Sequence, residues 1–146
     1  MKKNLFLLSL LMTVTILSAS ATPGNENDAV LTFQKQFVGA DNVKWTKSED
    51  GFQRVAFTWN SRRMEAYFDR DGEFAGAVRG LFYDQMPLIV IRSIERNFKK
   101  PLVLEVREIT NTEGTFYSLL MEIKGKKYRV KVDIGGGILD QERVKK

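Results

Sequence analysis

Apolar and polar residues alternate with a period of two through most of the chain. Val55, Phe57 and Trp59 interleave with Arg54, Ala56 and Thr58, and Met64, Ala66 and Phe68 interleave with Arg63, Glu65 and Tyr67. The pattern returns in Leu119, Met121 and Ile123, and again in Tyr128, Val130 and Val132. Successive side chains of a strand point to opposite faces, so this alternation predicts strands with one covered face. Strands are expected at 42–47, 52–59, 63–69 and 73–79, then at 102–109, 115–123, 127–133 and 138–144, with turns such as Asn60-Ser61, Asp71-Gly72 and Gly135-Gly136-Gly137 between them. Two segments carry helical spacing instead. Val30, Phe33 and Phe37 share one stripe, with Asp28 placed to cap the helix and Gly39 to stop it. Met86-Pro87 opens a second stripe of Ile91, Ile94 and Phe98, which Pro101 closes.

Each helix is thus expected to precede four strands. An offset of 64 residues superposes Val55, Phe57 and Trp59 on Leu119, Met121 and Ile123, and Gly72 on Gly136. The expected class is α+β: two tandem repeats of one helix plus a four-stranded antiparallel meander, in units of about 28–80 and 84–144, with the helices packed on one face of the sheet. The other face is then open. Alternation assigns to it Phe52, Arg54, Arg63, Tyr67, Phe116, Lys127, Arg129 and Lys131, together with Thr58, Glu65 and Glu122. Aromatic residues mixed with arginine are the composition of interface centres, so those first eight residues are the candidate partner-binding set. Trp45 and Trp59 also offer large rigid surfaces, although Trp59 falls in register with the core positions Val55 and Phe57.

The amino terminus adds a location. Lys2 and Lys3 precede an apolar run from Leu5 to Leu17, and Ala19-Ser20-Ala21 follows, the order of a cleavable signal peptide at 1–21. The run is about 13 residues, shorter than the roughly 20 that a membrane-spanning helix needs, so no permanent membrane anchor is expected. A polar leader at 22–27 and a single domain at 28–146 complete the expected organisation, and the expected location is periplasmic or secreted. Without Lys2 and Lys3 the 23 basic residues become 21 against 18 acidic ones, a net charge of +3. That mild excess, with no long run of one sign, argues against nucleic acid as a partner.

The chain contains neither cysteine nor histidine. Disulfides, Ser-His-Asp and Cys-His catalysis, and thiolate or imidazole metal sites are excluded by composition. Carboxylate chemistry remains, with Glu65 and Glu122 as the nameable pair, but a small meander has little material for a deep cleft, so strand carboxylates paired to Arg and Lys are favoured and no enzyme is expected. Asp69-Arg70-Asp71-Gly72 starts like a calcium loop yet has Gly80 where the twelfth-position glutamate belongs, and Gly135-Gly136-Gly137 lacks the Lys-Ser/Thr of a phosphate loop. Both read as turns. No cofactor and no metal are expected.

The leader, the helix with Phe33 and Phe37, Asn42-Val43-Lys44-Trp45, Val55-Ala56-Phe57, Tyr67-Phe68-Asp69 with Gly72, Met86-Pro87 and Asn97-Phe98 together resemble the β-lactamase-inhibitor-like, PepSY-like family of exported bacterial proteins. The resemblance spans about 28–144 and rests on structural positions. It implies two helix-plus-sheet units, export in a Gram-negative cell and no enzymatic role. The inhibitor for which the family is named grips an enzyme on its concave sheet and uses disulfides, which this chain cannot form. The expected function is a non-catalytic binding module for a protein or peptide, with inhibition or regulation of an envelope or secreted enzyme as one form of it, acting as a monomer or weak dimer. The alternative is a periplasmic carrier of a small ligand or anion, held between the helices and the sheet or among Arg54, Arg63, Lys127 and Arg129.

Overall fold

The computed structural model describes residues 26–49 and 51–145. Helix α1 (Glu26–Gln36) is followed by β1 (Asp41–Lys47), β2 (Gln53–Trp59), β3 (Arg62–Phe68) and β4 (Phe74–Leu81). A single 3-10 turn at Tyr83–Gln85 leads to α2 (Leu88–Asn97), then β5 (Leu102–Asn111), β6 (Gly114–Ile123), β7 (Lys126–Asp133) and β8 (Ile138–Arg143). The signal peptide and most of the leader expected from sequence lie outside the described residues. Among the described residues no helix is long and apolar enough to cross a membrane.

The expected α+β arrangement of two tandem helix-plus-meander repeats is not what the chain forms. All eight strands belong to one antiparallel sheet in sequence order, and the helices add only 11 and 10 residues to a mainly β structure. The decisive element is the pairing of β4 with β5, continuous in register from Gly76 opposite Asn111 to Leu81 opposite Val106. A four-stranded unit ending at β4 would present a row of unpaired backbone N–H and C=O groups, and β5 supplies their partners. Alternation reports which face a side chain takes and says nothing about which edges meet. The 64-residue offset therefore matches positions of like pleat within one sheet, and the two halves fill their cores differently.

The cross-strand register defines a single row on the helix-covered face, from Phe57 through Met64, Arg79, Glu108 and Tyr117 to Val132. Both helices pack on this face. Beneath α1 the core is aromatic: Phe33 meets Phe57 edge to face at 4.9 Å, and Phe37, Phe68, Trp45, Trp59 and Phe74 surround them. Beneath α2 it is aliphatic, with Val90 and Ile94 against Leu119, Met121, Val130 and Val132. Burying a side chain such as Phe57 or Leu119 contributes about 2–3 kcal/mol each, which is what fixes the helices to the sheet.

Local differences from expectation have simple causes. Helix α1 starts at Glu26, so Asp28 lies within its first turn and does not cap it. Pro87 sits at the residue before α2, where its missing N–H costs nothing, and the buried stripe is Val90, Ser93 and Ile94, with Ile91 only partly buried. The Ser93 hydroxyl is satisfied by donating to the carbonyl of Gly136 at 2.5 Å. The two Asp-Gly turns are built alike. Asp69 Oδ1 accepts from the N–H groups of Asp71 and Glu73, both at 2.9 Å, and Asp133 Oδ1 accepts from those of Gly135 and Gly137, both at 2.8 Å. Each turn presses on a helix: a Cβ on Gly72 would lie 2.6 Å from the Ala29 nitrogen, and one on Gly136 would lie 2.9 Å from the Ile89 carbonyl oxygen. These are the segments whose sequence suggested cation and phosphate loops.

Candidate functional site

On the open face, β2 and β3 place Arg54 directly opposite Tyr67, with Glu65 on the diagonal. The Arg54 guanidinium grips Glu65 through Nη2 to Oε1 at 2.5 Å and Nε to Oε2 at 3.2 Å, and the Tyr67 hydroxyl donates to Oε2 at 2.9 Å. The hydrogen bond from Arg54 holds the Glu65 carboxyl below the usual carboxylate range, against the opposing pull of partial burial. Burial first, and then the hydrogen bond to Glu65, raises the Tyr67 hydroxyl above the ordinary tyrosine value.

Next to this cluster the sheet dips. The open-face positions of β4 are Gly76, Val78 and Gly80, so only Val78 contributes a side chain there. Beyond them β5 offers Arg107, ion-paired with Glu105, and Phe82 stands 75% exposed at the end of β4. The result is a trough of about 700 Å³ running over β4 between Arg54, Arg63, Glu65 and Tyr67 on one bank and Glu105 and Arg107 on the other. Four arginines (Arg54, Arg62, Arg63 and Arg107) line it against two glutamates, an excess of two positive charges. A Cβ added at Gly80 would have nothing within 4 Å, so the trough floor is open space.

The eight residues expected to bind a partner do not converge. Arg54, Arg63 and Tyr67 border the trough, whereas Phe52 lies at the β1–β2 hairpin, 40% exposed. Phe116, Lys127, Arg129 and Lys131 belong to β6 and β7. Four strand spacings separate β3 from β7, about 19 Å, so the anion site imagined among Arg54, Arg63, Lys127 and Arg129 does not form. The second group braces its own end of the sheet: Lys131 Nζ lies 3.8 Å from the Phe116 ring centroid, Lys127 is opposite Glu122 and Arg129 is opposite Glu142. Glu65 and Glu122 are three strands apart and offset along them, more than about 20 Å, far beyond the 5–10 Å of a glycosidase pair. Neither tryptophan reaches the open face. Trp45 stacks near Phe33 and Phe68, and Trp59 donates its Nε1–H to the Val38 carbonyl at 3.0 Å.

A second polar feature, absent from the sequence-based candidates, interrupts the helix-covered face between the two cores. Arg79 donates to Glu108 through Nε to Oε1 at 2.6 Å and Nη2 to Oε2 at 2.9 Å, and the Tyr117 hydroxyl approaches Glu108 Oε2 at 3.3 Å. The hydrogen bond to Glu108 raises the Arg79 pKa further, and burial raises that of Tyr117. Beside the pair opens a cleft of about 520 Å³ walled by Phe37, Trp59, Met64 and Phe74. The available signal was alternation itself. Arg79 shares a face with Ala77 and Leu81, and Glu108 shares one with Val106, so two charges occupy inward positions.

No family model matches the sequence, and no curated protein does. Solved structures share its fold. A BLIP-like protein from Bacteroides fragilis superposes with a TM-score of 0.74 at 20% identity, covering 86% of this chain and 89% of that one. A DUF2874 family protein from Bacteroides ovatus gives a TM-score of 0.75 at 18% identity, covering 84% of this chain and 89% of that one. A protein from Bacteroides eggerthii whose periplasmic assignment is itself provisional gives 0.71 at 16% identity, covering 81% and 88%. The fold is BLIP-like, and at these identities the likeness is one of fold.

Proposed function

We propose that this chain is an exported, non-catalytic binding module that holds a protein or peptide against the open face of its sheet. The observation that carries the reading is the trough over β4, a concave strip floored by Val78 and Gly80 between two banks of pre-ordered ion pairs. Such a strip accepts a projecting side chain or loop, and Phe82 supplies an apolar contact at its rim. Its excess of arginine favours a partner that presents carboxylates. The glutamates on its banks are already engaged with arginines, which suits recognition better than proton transfer. Export to the periplasm or beyond is supported by the leader pattern of residues 1–21 and by the periplasmic description of one structural neighbour. Restraint of an envelope enzyme, the behaviour implied by a BLIP-like or PepSY-like relationship, is the form of binding to look for first.

Gly80→Trp provides the test, because the added ring enters the trough without meeting other atoms near its Cβ. The wild-type and Gly80→Trp proteins would be cross-linked in the envelope fraction of their own cell, and the captured partners identified by mass spectrometry. A partner held by the wild type and lost from a Gly80→Trp protein of unchanged melting temperature supports the reading. Equal capture by the two proteins places the interface elsewhere.

A further inference from the structure

We infer that the cleft on the helix-covered face is a binding site for a small planar anion, an aryl carboxylate by chemical class. It lies on the opposite side of the sheet from the trough and shares with it only Arg62 and Met64, so blocking the trough at Gly80 leaves the cleft untouched and the two readings fail separately. Three observations point to it. The first is position. In the row from Phe57 to Val132 the end members are buried, 2% and 0% exposed, whereas the middle is an ion pair. A charged pair at core positions costs desolvation that apolar residues of similar size would avoid, so Arg79 and Glu108 are expensive as packing. Function at the cleft they border accounts for them.

The second observation is the set of free donors. Arg79 uses Nε and one N–H of Nη2 on Glu108, and among the described residues its other three N–H groups have no acceptor. Glu108 is neutralised by Arg79 and occupied by Tyr117, which leaves the guanidinium of Arg62 as the uncompensated charge of the cleft. The site is therefore positive, and a carboxylate can accept N–H bonds from Arg79 and Arg62 together. The third is the wall. Phe37, Trp59 and Phe74 present ring surfaces around a space of about 520 Å³, within the range of small-molecule sites, and Met64 adds a polarisable contact. An added strand is not the occupant, because β2 to β5 are already paired on both edges and offer no backbone in the cleft.

Trp59 makes the site observable. In a Trp45→Phe background it is the sole tryptophan, and 4-nitrobenzoate is a quenching probe, with 4-nitrobenzamide as its neutral isostere. Saturable quenching by the carboxylate is expected, at least tenfold tighter than by the amide. Arg79→Gln/Glu108→Gln keeps a hydrogen-bonded pair and the net charge while removing the guanidinium donors, and is expected to weaken the carboxylate at least fivefold with circular dichroism unchanged. Should that variant fail to fold, Arg62→Ala decides, since Arg62 is exposed and outside both cores. Unsaturable quenching, equal affinity for the two probes, or an affinity within twofold of wild type in the deciding variant overturns the assignment.

Discussion

Arg79 on β4 and Glu108 on β5 stand directly opposite one another and meet fork to fork, with side chains 30% and 16% exposed. Removing one partner leaves a half-buried charge without its counter-charge. Arg79→Met is expected to destabilise the fold by about 2 kcal/mol, whereas Arg79→Met/Glu108→Met should fall within about 1 kcal/mol of wild type. Urea unfolding of the four proteins in this cycle checks the coupling, and strictly additive losses would show that the pair does not act as one.

The Arg54–Glu65 pair sets a modest acid dependence. Its folded-state carboxyl is depressed by Arg54, so the stability it adds is present above the unfolded value of about 4.3 and disappears as pH falls through the folded one. Arg54 is half exposed, which keeps the contribution below about 1 kcal/mol. Glu65→Gln should lose less stability than wild type between about pH 5 and pH 3. Parallel acid limbs for the two proteins would remove Glu65 from the linkage.

Tyr67, Tyr83 and Tyr117 titrate late. Burial is the leading cause at Tyr67, Tyr83 and Tyr117, each of which holds its proton past the ordinary value. Raised folded values mean stability that is complete below about pH 10 and lost as pH climbs towards them. Tyr117→Phe should shallow the alkaline limb, as followed by tyrosinate absorbance alongside denaturant midpoints; an unchanged limb would count against burial as the cause.

The turn at Gly136 is expected to tolerate no side chain. Its φ is +86°, and a Cβ would press on the Ile89 carbonyl oxygen of α2. Gly136→Ala should cost about 2 kcal/mol or more, against about 1 kcal/mol for Gly125→Ala, which shares a positive φ but faces open space. Thermal melts of the two variants separate backbone strain from the contact with the helix, and equal losses would deny the contact any share.

Strand by strand, the molecule was legible. Val55-Ala56-Phe57 and Tyr128 to Val132 announce their faces by alternation, and the observed strand limits fall within about two residues of those expected. What stayed hidden is what a period of two cannot encode. Nothing in Gly76 to Leu81 or Val106 to Asn111 says that these segments pair with each other, so the continuous sheet, and with it the wide separation of Arg63 from Arg129, emerges only in three dimensions. The trough was half visible: Arg54, Arg63 and Tyr67 carry its chemistry, but its floor opens at Gly80, a position that mattered in the sequence only for ruling out a calcium loop. Arg79 and Glu108 were readable in principle as charges out of phase with their neighbours.

Strand order has a kinetic meaning. Six of the seven strand pairs are closed by short hairpin turns, while β4 and β5 are bridged by residues 82–101, twenty residues that include α2. Closing that longer loop costs on the order of 1–1.5 kcal/mol more entropy than closing a four-residue turn. The nascent chain can therefore condense β1 to β4 on α1 while its second half is still being synthesised, and the zipping of the central seam is expected to be the slow event of folding. Substitutions along that seam, such as Val78→Ala, should slow refolding more than substitutions at the hairpin tips, which identifies the middle of the sheet as the place where the domain commits to its native state.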